Sequence, residues 1–237
     1  MGIIGGMGPM ATVNFMKLVI DMTDAATDQE HIPMLTYNLP QIPDRTGYLL
    51  GSCKEDPGPV MAGCAETLVQ AGAQVLAIPC FTAHAFFEQV QNRVQVPVIH
   101  VIRETADYLL EQGIHRVALE ATDGTVQTGL VQRILEERGI QVLLPSAAGQ
   151  RKVMEVVYDN VKAGKPADME KFMAVEQELL DKGAQVIIMG CTELSVVKRD
   201  HKLTPCYLDG LDVLARASVK ACGRLKPEFE NLVDVRG

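Results

Sequence analysis

The chain has 237 residues, of which 47% are hydrophobic, 22% charged and 5% aromatic, with no Trp and a formal net charge of −8. This composition describes an ordinary folded protein with enough chain for one large domain or two small ones. It argues against a general nucleic-acid binder, against base-stacking platforms and, with no apolar run near ~18 residues, against a membrane-spanning segment.

In chain order, short apolar runs alternate with longer amphipathic stretches. Gly2–Gly6 reads as a strand, Thr12–Ile20 as a helix, Met34–Leu39 as a strand and Pro59–Gln70 as a helix. Val75–Ile78 (strand) and Ala83–Gln91 (helix) follow, then Val96–Val101 as a strand leading into helix Glu104–Gln112. The second half reads Arg116–Leu119 (strand), Gln127–Arg138 (helix), Val142–Leu144 (strand), Lys152–Lys162 and Met169–Lys182 (helices), Val186–Met189 (strand) and a helical tail, Val213–Leu225. Such alternation predicts an α/β fold with parallel, doubly wound sheets. The near-continuous Val, Ile and Leu of the strands suit sheets covered on both faces.

The chain also repeats itself. Gly72–Cys80 aligns with Gly183–Cys191 at an offset of 111 residues, sharing Gly-Ala-Gln-Val and a Cys at the strand's carboxyl end. At the same offset Ile3–Thr12 falls on Ile114–Asp123. A duplicated α/β unit of about 100 residues follows, giving two pseudo-symmetric domains. The expected division is residues 1–99 with 206–237 as one domain and 100–205 as the other, with His100–Ala106 as the crossover.

Ligands of open α/β sheets bind beyond the carboxyl ends of strands, which is where Cys80 and Cys191 fall. If the halves face each other, the two thiols share one cleft. Each precedes a predicted helix start, at Thr82–Ala83 and Thr192–Glu193, which favours a thiolate. His84 lies within helical reach of Cys80. Two opposed thiols do not make a hydrolase triad. They suit removal of a proton from one face of a carbon and its return to the other, which is racemisation or epimerisation. Six cysteines are too few for a disulfide scaffold, so free thiols in a reducing cytoplasm are expected. The first residues, Met1-Gly2-Ile3-Ile4-Gly5-Gly6, lack the basic start of a signal peptide. No Cys-x-x-Cys or His-x3-His pair suggests a metal site.

Several local motifs carry a resemblance. Gly5-Gly6-Met7-Gly8-Pro9-Met10-Ala11-Thr12, Gln41-Ile42-Pro43-Asp44-Arg45-Thr46, Glu55-Asp56-Pro57, Pro79-Cys80-Phe81-Thr82-Ala83-His84 and Gly190-Cys191-Thr192-Glu193-Leu194 together resemble the cofactor-independent aspartate/glutamate racemase family, most closely its aspartate racemase branch. The resemblance runs through nearly the whole chain. It implies two α/β domains with the active site in the cleft between them, no cofactor, a small amino-acid substrate and a homodimer. Cys80 and Cys191 fall on the two catalytic positions, Arg45 and Lys162 where substrate carboxylates are held, and Thr82 and Thr192 at the turns that cradle the α-carboxylate. A planar Arg fork and a Lys point charge are what a dicarboxylic amino acid needs. Glu193 either orients Cys191 or caps its helix, and His84 is either an auxiliary group or a structural one.

Two departures stand out. Phe81 replaces the family's Asn after the first Cys and is expected to bind substrate through its backbone N–H alone, the side-chain donor being lost. Glu120, in Leu119-Glu120-Ala121-Thr122-Asp123, replaces an aliphatic residue and is expected to bring an anion near the cleft. A related two-thiol isomerase or decarboxylase, or a non-catalytic two-lobe binder of small acids, stands as the alternative. Gly6-Met7-Gly8-Pro9-Met10-Ala11 mimics a dinucleotide-binding turn, but Asp28 lies in a polar stretch instead of ending a strand. Cys53, Cys64, Cys206 and Cys222 are expected to be packing residues.

Overall fold

The computed structural model describes residues 1–233. Two parallel sheets are present. In the first, β1 (Gly2–Gly5) pairs with β2 (Leu35–Asn38) on one side and β3 (Leu76–Ala77) on the other. The second runs β5 (Gln141–Leu143), β4 (Arg116–Glu120), β6 (Val186–Met189), β7 (Tyr207–Asp209). The predicted strand at Val96–Val101 is reduced to one parallel bridge, Val98 to Leu76, bracketed by the Leu76 amide on Pro97 and the Ile99 amide on the Leu76 carbonyl. Counting that bridge, the first sheet has the order of the second, so the two sheets correspond strand for strand.

The 111-residue offset holds for β3 and β6 but not for β1 and β4. Leu76 and Ala77 pair with Gly2 and Ile3, whereas Ile187 and Ile188 pair with Ala118 and Leu119. Sheet register therefore matches Ile3 with Leu119, and Ile114 lies before its strand. The stretch after Pro205 also differs from expectation: Tyr207–Asp209 joins the second sheet. The following helix, α11 (Gly210–Cys222), crosses to pack on α1 (Pro9–Met22) and α5 (Val101–Glu111), and Leu225 beyond it bridges Thr23 at the end of α1.

Those three helices form a central layer. Ile3, Val117, Leu119, Val186 and Ile188 turn one sheet face into it, meeting Phe15, Ile102, Tyr108 and Leu214 in one buried cluster. Alternate residues point the other way, as the pleat requires. Ile4 and Leu76 pack beneath α3 (Pro57–Gln70), and Ala118, Ile187 and Met189 beneath α9 (Met169–Asp181). Among the described residues no helix is long and apolar enough to cross a membrane.

Several predicted helices are broken. Ala83–Gln91 becomes a 3-10 turn, Thr82–Phe86, followed by the short α4 (Phe87–Gln91). Gly129, with φ +63°, splits the next into α6 (Asp123–Thr128) and α7 (Leu130–Glu136), because few residues other than Gly enter the left-handed region easily. Lys152–Lys162 opens instead as α8 (Ala147–Met154), capped by Ser146, and continues as a π-helical stretch, Glu155–Val161. A short α2 (Arg45–Leu49), capped by Asp44, was not predicted.

Candidate active site

Both expected thiols stand at the carboxyl ends of matched strands. Cys80 follows β3 through a tight turn in which its amide donates to the Ile78 carbonyl at 2.8 Å. Cys191 follows β6 after Gly190 and is the N-cap of α10 (Thr192–Asp200). Both are buried and line one cavity together with Met7, Asp44, Arg45, Thr46, Phe81, Thr82, Thr122, Lys162, Thr192 and Glu193. The first sheet thus contributes Cys80, Phe81, Thr82 and the loop bearing Asp44–Thr46. The second contributes Cys191–Glu193, Thr122 and Lys162. Free space at the centre is about 20 Å3, room for roughly one water.

Two cations, Arg45 and Lys162, and two carboxylates, Asp44 and Glu193, line the cavity. The Arg45 Nη1 donates to the Ile42 and Pro43 carbonyls at 3.2 and 3.0 Å, which pins the guanidinium to its loop. Its Nε is buried without an acceptor. Lys162 leaves the π stretch with its amide on the Val157 carbonyl at 2.9 Å, and its Nζ sits 4.1 Å from the centre of the Tyr158 ring. Burial works against the Lys162 ammonium, but Glu193, Cys191, Tyr158 and Asp44 outweigh it and hold the pKa above the usual lysine value. Lys162, an ordinary surface lysine by pattern alone, is therefore a wall of the cleft.

Glu193 orients more than it caps. The Cys191 thiol donates to Glu193 Oε2 at 2.9 Å, and the Thr192 hydroxyl to the same oxygen at 3.3 Å. Burial, then the Glu193 charge and hydrogen bond, push the Cys191 thiol well above its ordinary pKa, with Lys162 opposing. The helix-start argument alone predicted the reverse; desolvation beside a carboxylate overrides it.

Above the thiols, hydroxyls from both halves meet. Thr82 lies 2.7 Å from the Thr125 hydroxyl and 3.3 Å from that of Thr122, and Thr46 donates to Thr122 at 3.2 Å. Thr46, Thr122 and Asp44 are cleft residues that sequence reasoning did not single out. The Thr122-x-x-Thr125 spacing at a helix start was the available signal, since Thr122 caps α6.

Contrary to expectation, Glu120 does not line the cleft. It lies on the opposite face of β4, buried near Glu176 and Tyr207, and burial, then Glu176, raise its pKa to about 8. Phe81 borders the cavity, and its ring also packs in the core against Gly210. His84 bonds to backbone atoms and not to the Cys80 thiol.

The pattern of the Asp/Glu/hydantoin racemase family matches residues 4–218, across both thiols and both sheets. The chain belongs to that family. It is an amino-acid racemase, an isomerase. The racemase is 27% identical over 227 residues to the broad specificity amino-acid racemase RacX of Bacillus subtilis, spanning 92% of this chain and 96% of that one. Its fold matches the aspartate racemase of Picrophilus torridus with a TM-score of 0.81 at 29% identity, over 96% of each chain. An aspartate racemase homologue from Pyrococcus horikoshii shares the fold at 23% identity and a TM-score of 0.74, over 93% of this chain and 97% of that one.

Proposed function

We propose that this racemase interconverts L- and D-aspartate without a cofactor, using Cys80 and Cys191 as two bases. The observation that carries the reading is that the two thiols line one cavity from the ends of matched strands. One thiolate takes the Cα proton. The electron pair left on Cα is delocalised into the α-carboxylate, and the other thiol delivers its proton to the opposite face. The Thr192 amide, which opens α10 without an acceptor inside the helix, and the Thr82 hydroxyl provide donors for that carboxylate. The free Nε edge of Arg45 and the Lys162 ammonium suit the side-chain carboxylate. The likeness to the aspartate racemase of Picrophilus torridus supports the substrate.

The protein is further proposed to act in the cytoplasm, where its free cysteines suit a reducing medium, and as a homodimer. Exposed Leu35 and Tyr37 on the edge strand β2 support a second copy there.

The test is incubation in D2O, with reductant and no cofactor, of each enantiomer of aspartate, glutamate and alanine, following the α-proton by NMR and rotation by polarimetry. Exchange with racemisation of aspartate, abolished by Cys80→Ala and by Cys191→Ala, is expected. Racemisation of glutamate or alanine but not aspartate overturns the substrate. Full activity in both variants overturns the two thiols.

A further inference from the structure

His84 and Ser195 lie four residues after Cys80 and Cys191 and correspond at the 111-residue offset. Neither touches a thiol, yet each ties the turn that carries its thiol to the start of a central helix.

His84 is almost wholly buried. Its Nδ1 is 2.9 Å from the Cys80 carbonyl oxygen and its Nε2 is 3.2 Å from the Val101 amide nitrogen. The Val101 amide can only donate, so Nε2 accepts, and the ring proton sits on Nδ1 and is donated to Cys80. The His84 amide donates to the Phe81 carbonyl at 3.0 Å, closing the 3-10 turn. In an α-helix that amide would bond to the Cys80 carbonyl. The imidazole supplies the donor that the tighter turn withholds. Its other nitrogen satisfies the first amide of α5, a group no helix can satisfy internally. Burial lowers the His84 pKa, keeping the ring in this neutral form, against its backbone hydrogen bonds.

In the second half, the Ser195 hydroxyl donates to Asp209 Oδ1 at 2.8 Å, and the same oxygen accepts the Leu211 amide of α11 at 2.8 Å. Helix α11 follows β7 just as α5 follows the Val98 bridge, so His84 to Val101 and Ser195 through Asp209 to Leu211 occupy matching places.

We propose that His84 is a positioning residue that fixes the backbone of Cys80, and hence the aim of its thiol, and that the Ser195–Asp209 pair does the same for α10 and Cys191. This rests on the two-thiol reading above. It makes each pair responsible for one face of the substrate. When Cys80 is misaimed, the enantiomer deprotonated by Cys191 still loses its proton, but the carbanion is reprotonated by Cys191 and recovers its original hand.

The experiment compares wild type, His84→Phe, His84→Asn, Ser195→Ala and Cys80→Ala in D2O with L- and D-aspartate, scoring deuterium in recovered starting enantiomer against inversion. Alkylation of each thiol by iodoacetamide, read by peptide mass spectrometry, gives a second readout that needs no substrate. His84→Phe is expected to slow racemisation by about tenfold or more, as small misplacements of a reacting group do. It should raise the exchange-to-inversion ratio for one enantiomer only and change the alkylation of Cys80 but not of Cys191. Ser195→Ala should raise the ratio for the other enantiomer. His84→Asn, whose amide can donate from the Nδ1 position, should retain most activity. Equal loss for both enantiomers, unchanged alkylation of Cys80, or Asn no better than Phe overturns the proposal. Should His84→Phe fail to fold, a skew in Ser195→Ala for the enantiomer opposite to the one skewed by Cys80→Ala upholds the proposal and its absence overturns it. A Cys80→Ala protein that still racemises fails the two-thiol reading instead, and the alkylation result then decides the brace alone.

Discussion

Gly210 and Phe81 are fitted to one another across the two halves: a Cβ on Gly210 would stand 2.0 Å from Phe81 Cε2 and 2.6 Å from Cζ. The ring beside Cys80 is accommodated because the first residue of α11 has no side chain. Both residues border the core that joins the lobes, so Phe81 serves the packing there as well as bordering the pocket.

Gly210→Ala is therefore expected to destabilise the protein by about 1–3 kcal/mol, as overpacking of a filled core does. In a Phe81→Asn background the penalty should largely disappear. Urea unfolding of the four proteins in a double-mutant cycle measures the coupling, and equal penalties in both backgrounds would show that the ring moves aside freely.

Glu193→Gln removes the carboxylate that accepts the Cys191 proton and raises the thiol's pKa after burial itself. The thiolate should then form at lower pH than in wild type. Absorbance at 240 nm during a pH titration, taken in each case as the difference from a matched Cys191→Ala protein, should show the midpoint moving down. Movement upward would mean that Glu193 acts chiefly through Lys162.

Glu120 supplies a stability prediction with a defined sign. Its folded pKa of about 8 lies above the ordinary carboxyl value of 4.5, so the folded state holds a proton that the unfolded state releases. Stability from this group is greatest below about pH 4.5 and is lost as pH rises toward 8, after which no more is lost. Glu120→Gln keeps the shape without the titration. Its thermal midpoint should match wild type near pH 4 and exceed it at pH 8. A gap independent of pH would place the effect in packing, not in the proton.

Gly124 opens α6 against Thr46, where a Cβ would lie 2.9 Å from the Thr46 Cα. Gly124→Ala should hold the lobes slightly apart, lowering kcat/KM about tenfold through misaligned thiols while leaving unfolding nearly unchanged. A large loss of stability with intact kinetics would assign the contact to the fold instead of to closure.

Much of this was legible in the residues. The β3 and β6 strands, their terminal cysteines and the Gly-Ala-Gln-Val repeat specified the matched halves, because buried parallel strands announce themselves as apolar runs. Arg45, Thr82, Thr192 and Lys162 all reach the cleft. What was not legible depended on register and environment. The strand predicted at Val96–Val101 has one bridge because it meets only β3, and a left-handed Gly129 broke a helix whose apolar spacing reads as continuous. Glu120 has the same neighbours in sequence whichever face of β4 it occupies; only strand parity, fixed by pairing with β6, turns it under α9. The Cys191 proton is governed by Glu193 and burial, which no helix-start rule anticipates.

The cluster of Thr46, Thr82, Thr122 and Thr125 is a fastening without polarity. Each hydroxyl can give or take a proton by rotating about its C–O bond, and each bond contributes on the order of 1 kcal/mol net. A clasp made of ion pairs would have to shed and rebuild charge solvation whenever the cleft parted. This one can exchange its partners for water and re-form with any pattern of donors, so the seam beside the pocket of about 20 Å3 carries no fixed charge pattern that a reactant and its mirror image would meet differently.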